Sequence, residues 1–277
     1  MYNKVYVEIT NICNMNCSFC HGHSRPPKQM TLAEFSHILT QLKDKTKFIY
    51  YHLMGEPLTH PLLPDFLKLA KEKEFKSIIT TNGTLLKERG GEILNAGVHK
   101  INVSLHSQEN GSESEHVKYL LEIAEFAKQA SNKGVIVVFR LWNNGFDGDK
   151  NDTALRVLKE SFNGEWEEHR HGTKICDNLY LEYGERFEWP DKNEDIKGER
   201  FFCYGLKDQF GILVDGTVVP CCLDSDGVIE LGNVFTSCVD SILNSKRATD
   251  MVKEFKSGKA SEDLCKRCGF AQRFINK

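Results

Sequence analysis

Three cysteines stand within the stretch Cys13-Asn14-Met15-Asn16-Cys17-Ser18-Phe19-Cys20, directly after the apolar run from Val5 to Ile9 and its closing Thr10-Asn11. Alternating, β-branched residues that end in Thr-Asn predict a strand running out into a loop, so the loop carries three soft ligands close together. Their number is informative. A cluster of four irons and four sulfides offers four metal corners, and cysteine thiolates are its usual ligands. Three thiolates leave one iron open to a small molecule, much as a catalytic metal keeps one position free. Zinc is the alternative, with His21 or His23 as a fourth ligand. A disulfide suits a chain of cytosolic character less well.

The pattern Cys-x3-Cys-x-aromatic-Cys after a first strand resembles the motif of the radical S-adenosylmethionine superfamily. The resemblance implies that the amino and carboxylate groups of S-adenosylmethionine chelate the open iron of a [4Fe-4S] cluster. It further implies reductive cleavage to a 5′-deoxyadenosyl radical, which removes a hydrogen atom from a substrate C–H. The protein then has to position that bond and exclude competing reactions. The same resemblance implies that Phe19, Gly55, Glu56, Ser104 and Arg140 contact S-adenosylmethionine. Gly55 and Glu56 belong to Met54-Gly55-Glu56-Pro57, which is similar to the family's Gly-Gly-Glu-Pro with Met54 in the first glycine's place. A carboxylate at Glu56 suits an ammonium, and the planar guanidinium of Arg140 suits a carboxylate. The plainer reading of Arg140 is a surface salt bridge beyond a strand end. An external electron donor such as flavodoxin or ferredoxin is the implied partner.

From Cys203 onward a second group appears. Phe210 to Val214 and Thr217 to Val219 flank Asp215-Gly216, a hairpin signal that delivers Pro220-Cys221-Cys222. A helical stretch from Val239 to about Lys256 leads to Cys265-Lys266-Arg267-Cys268. The spacing Cys203…Gly216-x4-Cys221…Cys265-x2-Cys268 resembles the SPASM/twitch extension of radical S-adenosylmethionine enzymes, in its shorter twitch form. That implies a second, auxiliary [4Fe-4S] cluster on Cys203, Cys221, Cys265 and Cys268, with Cys222 as the alternative to Cys221. Four thiolates fill all four corners and leave an electron-transfer or structural role. A zinc ribbon is the competing reading. Cys238 reads as a small buried hydrophobe, and Cys176 as a free thiol in a linker.

Around these groups the chain alternates strands and helices. Thr31 with Glu34 three residues on is a capping-box signature before Phe35, Ile38, Leu39 and Leu42. Strands are expected at Phe48–Leu53, Ser77–Thr81, Lys100–Leu105, Val135–Phe139 (closed by Arg140) and Asn178–Tyr183. Helices are expected between them, the last from Asp152 to Phe162. Short connections in this order argue for parallel strands with crossover helices. The resemblance implies an α/β fold, a partial six-stranded (β/α)6 TIM-like barrel with a small C-terminal twitch/SPASM-like extension. We place the barrel in residues 1–185 and the auxiliary cluster domain in 186–277. Chemistry belongs at the C-terminal strand ends, where the Cys loop, Gly55-Glu56, Asn82, Ser104 and Arg140 all fall. Strand alternation turns Glu8, Tyr50, His52, Thr80, Asn102 and His106 inward. Glu8 and His52 head the substrate-facing candidates.

The chain's 277 residues, 40% hydrophobic and 27% charged, are ordinary globular composition, which excludes disordered and fibrous classes. A net charge of −3 gives no electrostatic reason to expect nucleic acid or an anionic membrane as partner. No basic-then-apolar leader precedes the first strand and no apolar run spans a bilayer, so a cytoplasmic enzyme is expected. Two reaction classes remain open. One is lyase or dehydrogenase chemistry on a small polar molecule. Its lyase form resembles the queuine lyases, which release 7-aminomethyl-7-deazaguanine from queuine, and its dehydrogenase form the aminocyclitol dehydrogenases. The other is cross-linking or epimerisation of a ribosomally synthesised peptide.

Overall fold

The computed structural model describes residues 1–146, 148, 150–169 and 172–274. The first half alternates as expected: β1 (Lys4–Val7), α1 (Leu32–Leu42), β2 (Phe48–Tyr50), α2 (Leu63–Glu72), β3 (Lys76–Thr81), α3 (Leu86–Ala96), β4 (Lys100–Ser104), α4 (Glu113–Asn132), β5 (Ile136–Asn144) and α5 (Lys150–Ser161). A hairpin of β6 (Glu167–His169) and β7 (Gly172–Cys176) precedes β8 (Leu179–Glu185). Strands β1, β2, β3, β4, β5 and β8 lie side by side in that order, all parallel. This is the sequential order that a six-stranded (β/α) barrel sheet requires. No helix among the described residues is long and apolar enough to cross a membrane.

Local chemistry accounts for the elements. Thr31 Oγ1 accepts from Glu34 N while a Glu34 carboxylate oxygen accepts from Thr31 N (2.7 Å), so the capping box forms and α1 buries Phe35, Ile38, Leu39 and Leu42. Ser112 and Glu115 repeat the device at α4. Gly97, at φ +90°, ends α3 in the left-handed conformation.

Several boundaries differ from the sequence reading. Strand β5 does not stop before Arg140; it runs on to Asn144, with Arg140 in register between Ser104 and Glu182. The polar residues after Phe139 hid this, because a strand end facing a polar cavity lacks the apolar signature of a buried strand. The hairpin β6–β7 lies in what reads as linker, since an edge hairpin with exposed Glu167, Glu168 and His169 shows no alternation. The helical stretch at Val239 is two helices, α6 (Val239–Leu243) and α7 (Lys246–Lys256), with Ser245 capping the second. Cys238 is exposed at the start of α6 and not buried, and Cys176 is an exposed free thiol at the end of β7.

The C-terminal segment joins the same sheet. Strands β9 (Gln209–Ile212) and β10 (Thr217–Val219) form the expected antiparallel hairpin, with β11 (Gly232–Asn233) beyond them, and β9 pairs in parallel with β1 from Lys4↔Gln209 to Val7↔Ile212. The sheet therefore continues past β1 into the segment that carries Cys221 and Cys222. The short helix α8 (Asp263–Lys266) carries Cys265.

One buried carboxylate ties these parts together. Glu8 is fully buried, and Arg25 grips it with two hydrogen bonds of 2.7 Å. Its oxygens also accept from Met54 N and Val214 N, both at 3.0 Å. Arg25 Nε in turn donates to Ser225 O (2.8 Å). Truncating one partner of a buried ion pair leaves the other uncompensated. Glu8→Ala is therefore expected to destabilise the protein by about 3–5 kcal/mol, whereas Glu8→Leu with Arg25→Met should recover much of that loss. Chemical denaturation measures both; a loss below about 1 kcal/mol for Glu8→Ala would show that the pair does not hold the fold.

Candidate active site

The loop after β1 is closed at its base by Asn11, whose side chain donates to Pro26 O (2.8 Å) and accepts from Lys28 N (2.7 Å). Within it, Cys20 N donates to Cys17 O, and Cys13 Sγ accepts from Met15 N. Cys13, Cys17 and Cys20 line one cavity of 430 Å³ together with Phe19, His52, Gly55, Glu56, Thr80, Asn82, Ser104 and Trp189. Burial, followed by neighbouring Cys20 and Glu109, pushes the Cys17 thiol up to about 11. Cys13 shifts upward too, again chiefly through burial. Such thiols ionise only against a strong positive charge, which a bound metal centre supplies. Among the described residues no three His, Cys, Asp or Glu side chains converge as a single-ion site. His23 sets Nε2 on Asn11 O (2.9 Å) and His21 lies 3.8 Å from Asp191, so neither histidine completes a zinc site with the three thiols. The donor set fits a cluster carried on three spaced thiolates.

The corner after β2 is shaped by a close approach of backbones. Gly55 has φ +76°, and a Cβ there would lie 2.4 Å from Thr10 O, so no other residue fits without moving the Cys loop. Glu56 N donates to Ile12 O (2.9 Å). The Glu56 carboxylate is buried, accepts from Leu58 N (2.9 Å) and Asn82 N (2.7 Å), and is raised by burial to about 7. With the Thr81 hydroxyl as a third donor, three of the roughly four acceptor positions of a carboxylate are used, so Glu56 retains room for about one more. Glu8 differs: Arg25 twice, Met54 N and Val214 N fill all four positions. Its expected substrate-facing role is corrected by that saturation. Asn82 bridges the corner to the loop, donating to Asn14 Oδ1 (2.9 Å).

A deeper cavity of 180 Å³ shares Phe19, His52, Thr80, Ser104 and Trp189 with the first and adds His106, Arg140, Trp142, Arg186, Phe187 and Cys222. Arg140 lines this cavity within β5; its guanidinium stacks over Trp142 at 4.5 Å and makes the ion pair of the plainer reading, half-buried, with Nε 3.5 Å from Glu182. Burial, then Arg140 and Lys4, pushes His52 down to about 3, and the imidazole is neutral at physiological pH. Thr80 and His106 line the cavity as strand alternation predicts. Tyr50 packs against Tyr6 and His52, and Asn102 is buried with its amide nitrogen on Thr80 Oγ1.

Sequence reasoning missed the strap after β8. Trp189 Nε1 donates to Phe19 O (3.0 Å), Arg186 donates to Ser18 O (3.1 Å), and the Trp189 ring stacks on His21. An aromatic pair, Phe187 and Trp189, inside a charged linker was the available signal. The strap is held from below by the segment around Cys265 and Cys268: Arg273 donates to Glu185 O, Arg267 to Lys192 O, and Gln272 to Lys197 O.

In the second cysteine group, Cys221 lies within electrostatic reach of Cys203, Cys265 and Cys268, and Cys222 within reach of Cys221, Cys203 and Cys268. Burial is the main cause of the upward shifts of all four thiols, Cys268 reaching about 11. Cys203 Sγ accepts from Gly205 N (3.3 Å), and Cys268 N donates to Cys265 O (3.1 Å). Four half-buried thiols gathered from three separate segments also fit a metal cluster that charges them on binding.

Comparison with known proteins agrees with this geometry. The family model of the radical SAM superfamily matches residues 7–144, and that of an iron-sulfur cluster-binding domain, SPASM, matches 203–269. A "Probable GTP 3′,8-cyclase" of Sulfolobus acidocaldarius is 25% identical over 276 residues, covering 83% of this chain and 84% of that one. A protein of the same description from Methanocaldococcus jannaschii is 36% identical over 106 residues, and there the match spans only 35% of the relative's length. The crystal structure of BtrN in complex with AdoMet and 2-DOIA shares the fold, with a TM-score of 0.62 at 18% identity over 97% of this chain and 93% of that one. With three thiols on the loop after β1, a Gly-Glu corner beside them and four more thiols below the strap, the chain belongs to the radical S-adenosylmethionine superfamily and carries a C-terminal SPASM-type auxiliary cluster domain.

Proposed function

We propose that this radical S-adenosylmethionine enzyme acts on a small, flat, polar molecule by lyase chemistry of the kind that converts queuine to 7-aminomethyl-7-deazaguanine. When bound, the cluster on Cys13, Cys17 and Cys20 supplies the electron that cleaves S-adenosylmethionine, and the 5′-deoxyadenosyl radical takes a hydrogen atom from the substrate. The chain's own residues bind and orient. Glu56 receives the amino group of S-adenosylmethionine at its remaining acceptor position. Gly55 lets the backbone approach, Phe19 and Ser104 border the cofactor, and Arg140 faces its carboxylate side. A flavodoxin or ferredoxin delivers electrons, and Cys203, Cys221, Cys265 and Cys268 would hold the auxiliary cluster, which would serve electron transfer or structure.

The observation that carries the substrate class is the wall of the deeper cavity: Trp142, Trp189, Phe187 and Phe19 around His52 and Arg140. Aromatic faces with a few placed polar groups are how proteins hold a planar heterocycle. A ribosomal peptide fits less well, because the strap closes on the Cys loop through Trp189 and Arg186 and leaves volumes of small-molecule size. A nucleoside triphosphate, suggested by the cyclase relatives, would need several unmatched cations. Here Arg140 faces Glu182 and Lys150 Nζ is held by the carbonyls of Gln108 and Glu109, which leaves Arg186, on Ser18 O, as a single cation of the cavity wall without a carboxylate among its described contacts. A dehydrogenase working on a polyol is the second reading, favoured by the fold shared with BtrN.

Anaerobically reconstituted protein is expected to hold about eight irons, from two four-iron clusters. Cys13→Ala, Cys17→Ala and Cys20→Ala together should remove half of them and abolish cleavage of S-adenosylmethionine. Cleavage that persisted in the triple variant would overturn the assignment of the first cluster. Because the Glu56 carboxyl titrates at about 7, it is ionised above that pH and neutral below it. S-adenosylmethionine affinity of the oxidised protein should therefore fall as pH drops through this range, and Glu56→Gln should weaken binding by about 1.5–3 kcal/mol and flatten the pH profile. Substrate choice is read by coupling. Queuine should yield 7-aminomethyl-7-deazaguanine with stoichiometric 5′-deoxyadenosine, and GTP should yield no product; product from GTP alone would replace this reading with the cyclase one.

A further inference from the structure

The inner face of the sheet sets three polar side chains in a row. Tyr6 pairs with Tyr50, and Tyr50 with Ile78, so two residues further on Glu8, His52 and Thr80 stand side by side. Tyr51 N still donates to Ile78 O (3.0 Å), which carries the pairing past the end of β2. Tyr51 itself turns to the opposite, apolar layer and is fully buried there. His52 therefore points into the barrel. Its ring meets Tyr6 edge-on at 5.4 Å and lies 6.4 Å from Tyr50. It lines both the cofactor cavity and the deeper one, at the junction between them.

Among the described residues His52 has no hydrogen-bond partner, and its neighbours explain why. Arg25, Met54 N and Val214 N fill the acceptor positions of Glu8. Thr80 Oγ1 accepts from the amide of Asn102 (3.2 Å). Arg140 and Arg186, on the wall of the deeper cavity, bring donors and no acceptor. His52 Nδ1 is enclosed without a partner, and burial keeps the ring neutral. A neutral imidazole carries one N–H and one lone pair, and a buried orphan N–H is rarer in native proteins than an orphan acceptor. The proton thus belongs on Nε2, the ring nitrogen that is not enclosed, and is offered to the cavity.

We propose that His52 is the donor that orients the substrate: its Nε2–H holds a hydroxyl or carbonyl oxygen at the junction of the two cavities and so sets which end of the molecule meets the cofactor. The inference rests on the small-molecule reading above and holds for both of its forms, because the cyclopentenediol of queuine and a cyclic polyol each present hydroxyl oxygens. A wall rich in donors suits a ligand that brings acceptors. A donor on a ring wedged against two tyrosines is already oriented when the ligand arrives, which spares the cost of ordering it.

Two measurements on the cluster-loaded, oxidised protein test this. Nitrogen NMR of protein carrying isotope-labelled histidine, assigned by the signal lost in His52→Gln, should find His52 protonated at Nε2 alone; a proton on Nδ1 would overturn the proposal. Queuine binding in the presence of S-adenosylmethionine should weaken about tenfold in His52→Phe, which keeps the ring and removes the donor. His52→Gln, whose amide N–H reaches the place of Nε2, should bind within about threefold of wild type, and His52→Asn should not. S-adenosylmethionine alone should bind all three variants within about twofold of wild type, which also reports that they fold. Equal losses in His52→Phe and His52→Gln, or no loss in His52→Phe, would sink the donor role. Weakened S-adenosylmethionine binding would move His52 to the cofactor and reject the proposal too. If wild-type protein does not bind queuine, scyllo-inositol is measured on the same variants. The same pattern there keeps His52 and rejects the lyase reading, and binding of neither ligand rejects both.

Discussion

The carboxylate of Glu8 is the point on which the architecture depends. A charge this deep survives only with its hydrogen-bonding capacity filled. The four donors that fill it come from three places in the chain: two from Arg25 after the Cys loop, one from Met54 before the Gly-Glu corner, one from Val214 at the C-terminal hairpin. The ion pair thereby holds the return of the first cysteine loop, the cofactor corner and the hairpin before Cys221 against the end of β1. Replacing the pair with apolar groups could preserve stability. It would lose the directional bonds that set how these three segments face one another.

Around that hub the two carboxylates of the region divide their roles by saturation. Glu8 and Glu56 are both buried at the C-terminal ends of parallel strands, both near backbone amides. Glu8 has a cation and two amides and no capacity left. Glu56 has two amides and the Thr81 hydroxyl, no cation, and a titration point lifted by burial. An incoming amino group would supply the missing positive partner, so the energetic cost of keeping Glu56 buried is offset only when ligand is present. The strap residues Arg186, Phe187 and Trp189 close the opposite side and are anchored on the segment that holds Cys265 and Cys268. The two cysteine groups are therefore mechanically linked through the cavity wall between them.

Much of this was legible in the sequence, for identifiable reasons. The Cys loop, the Gly-Glu corner, the Thr31 capping box and the Asp215-Gly216 hairpin are local motifs whose chemistry lies within a few residues, and each forms where expected. The strand-helix alternation gave the parallel order because crossover connections leave little choice. Three kinds of feature escaped. The hairpin β6–β7 buries Ile175 alone, against an exposed β6, and so shows no alternating pattern. Arg140 was placed beyond its strand because a polar lining interrupts the apolar run. Trp189 lies in a segment with no regular structure, where only tertiary contact reveals what an aromatic does.

Glu8 and Cys222 separate the two levels most clearly. The sequence determined their residue types, and alternation along β1 turns Glu8 away from solvent; Cys221 and Cys222 lie in a bend and turn after β10, where adjacency alone sets no side. It left open whether an inward Glu meets substrate or protein, and which of two neighbouring thiols meets the other cysteines. Those outcomes depend on Arg25, Val214, Tyr6 and Cys203, partners separated in the chain and brought together only when β9 pairs with β1. Residue spacing sets what a side chain can do; the donors and charges that the fold gathers around it decide which of those things it does.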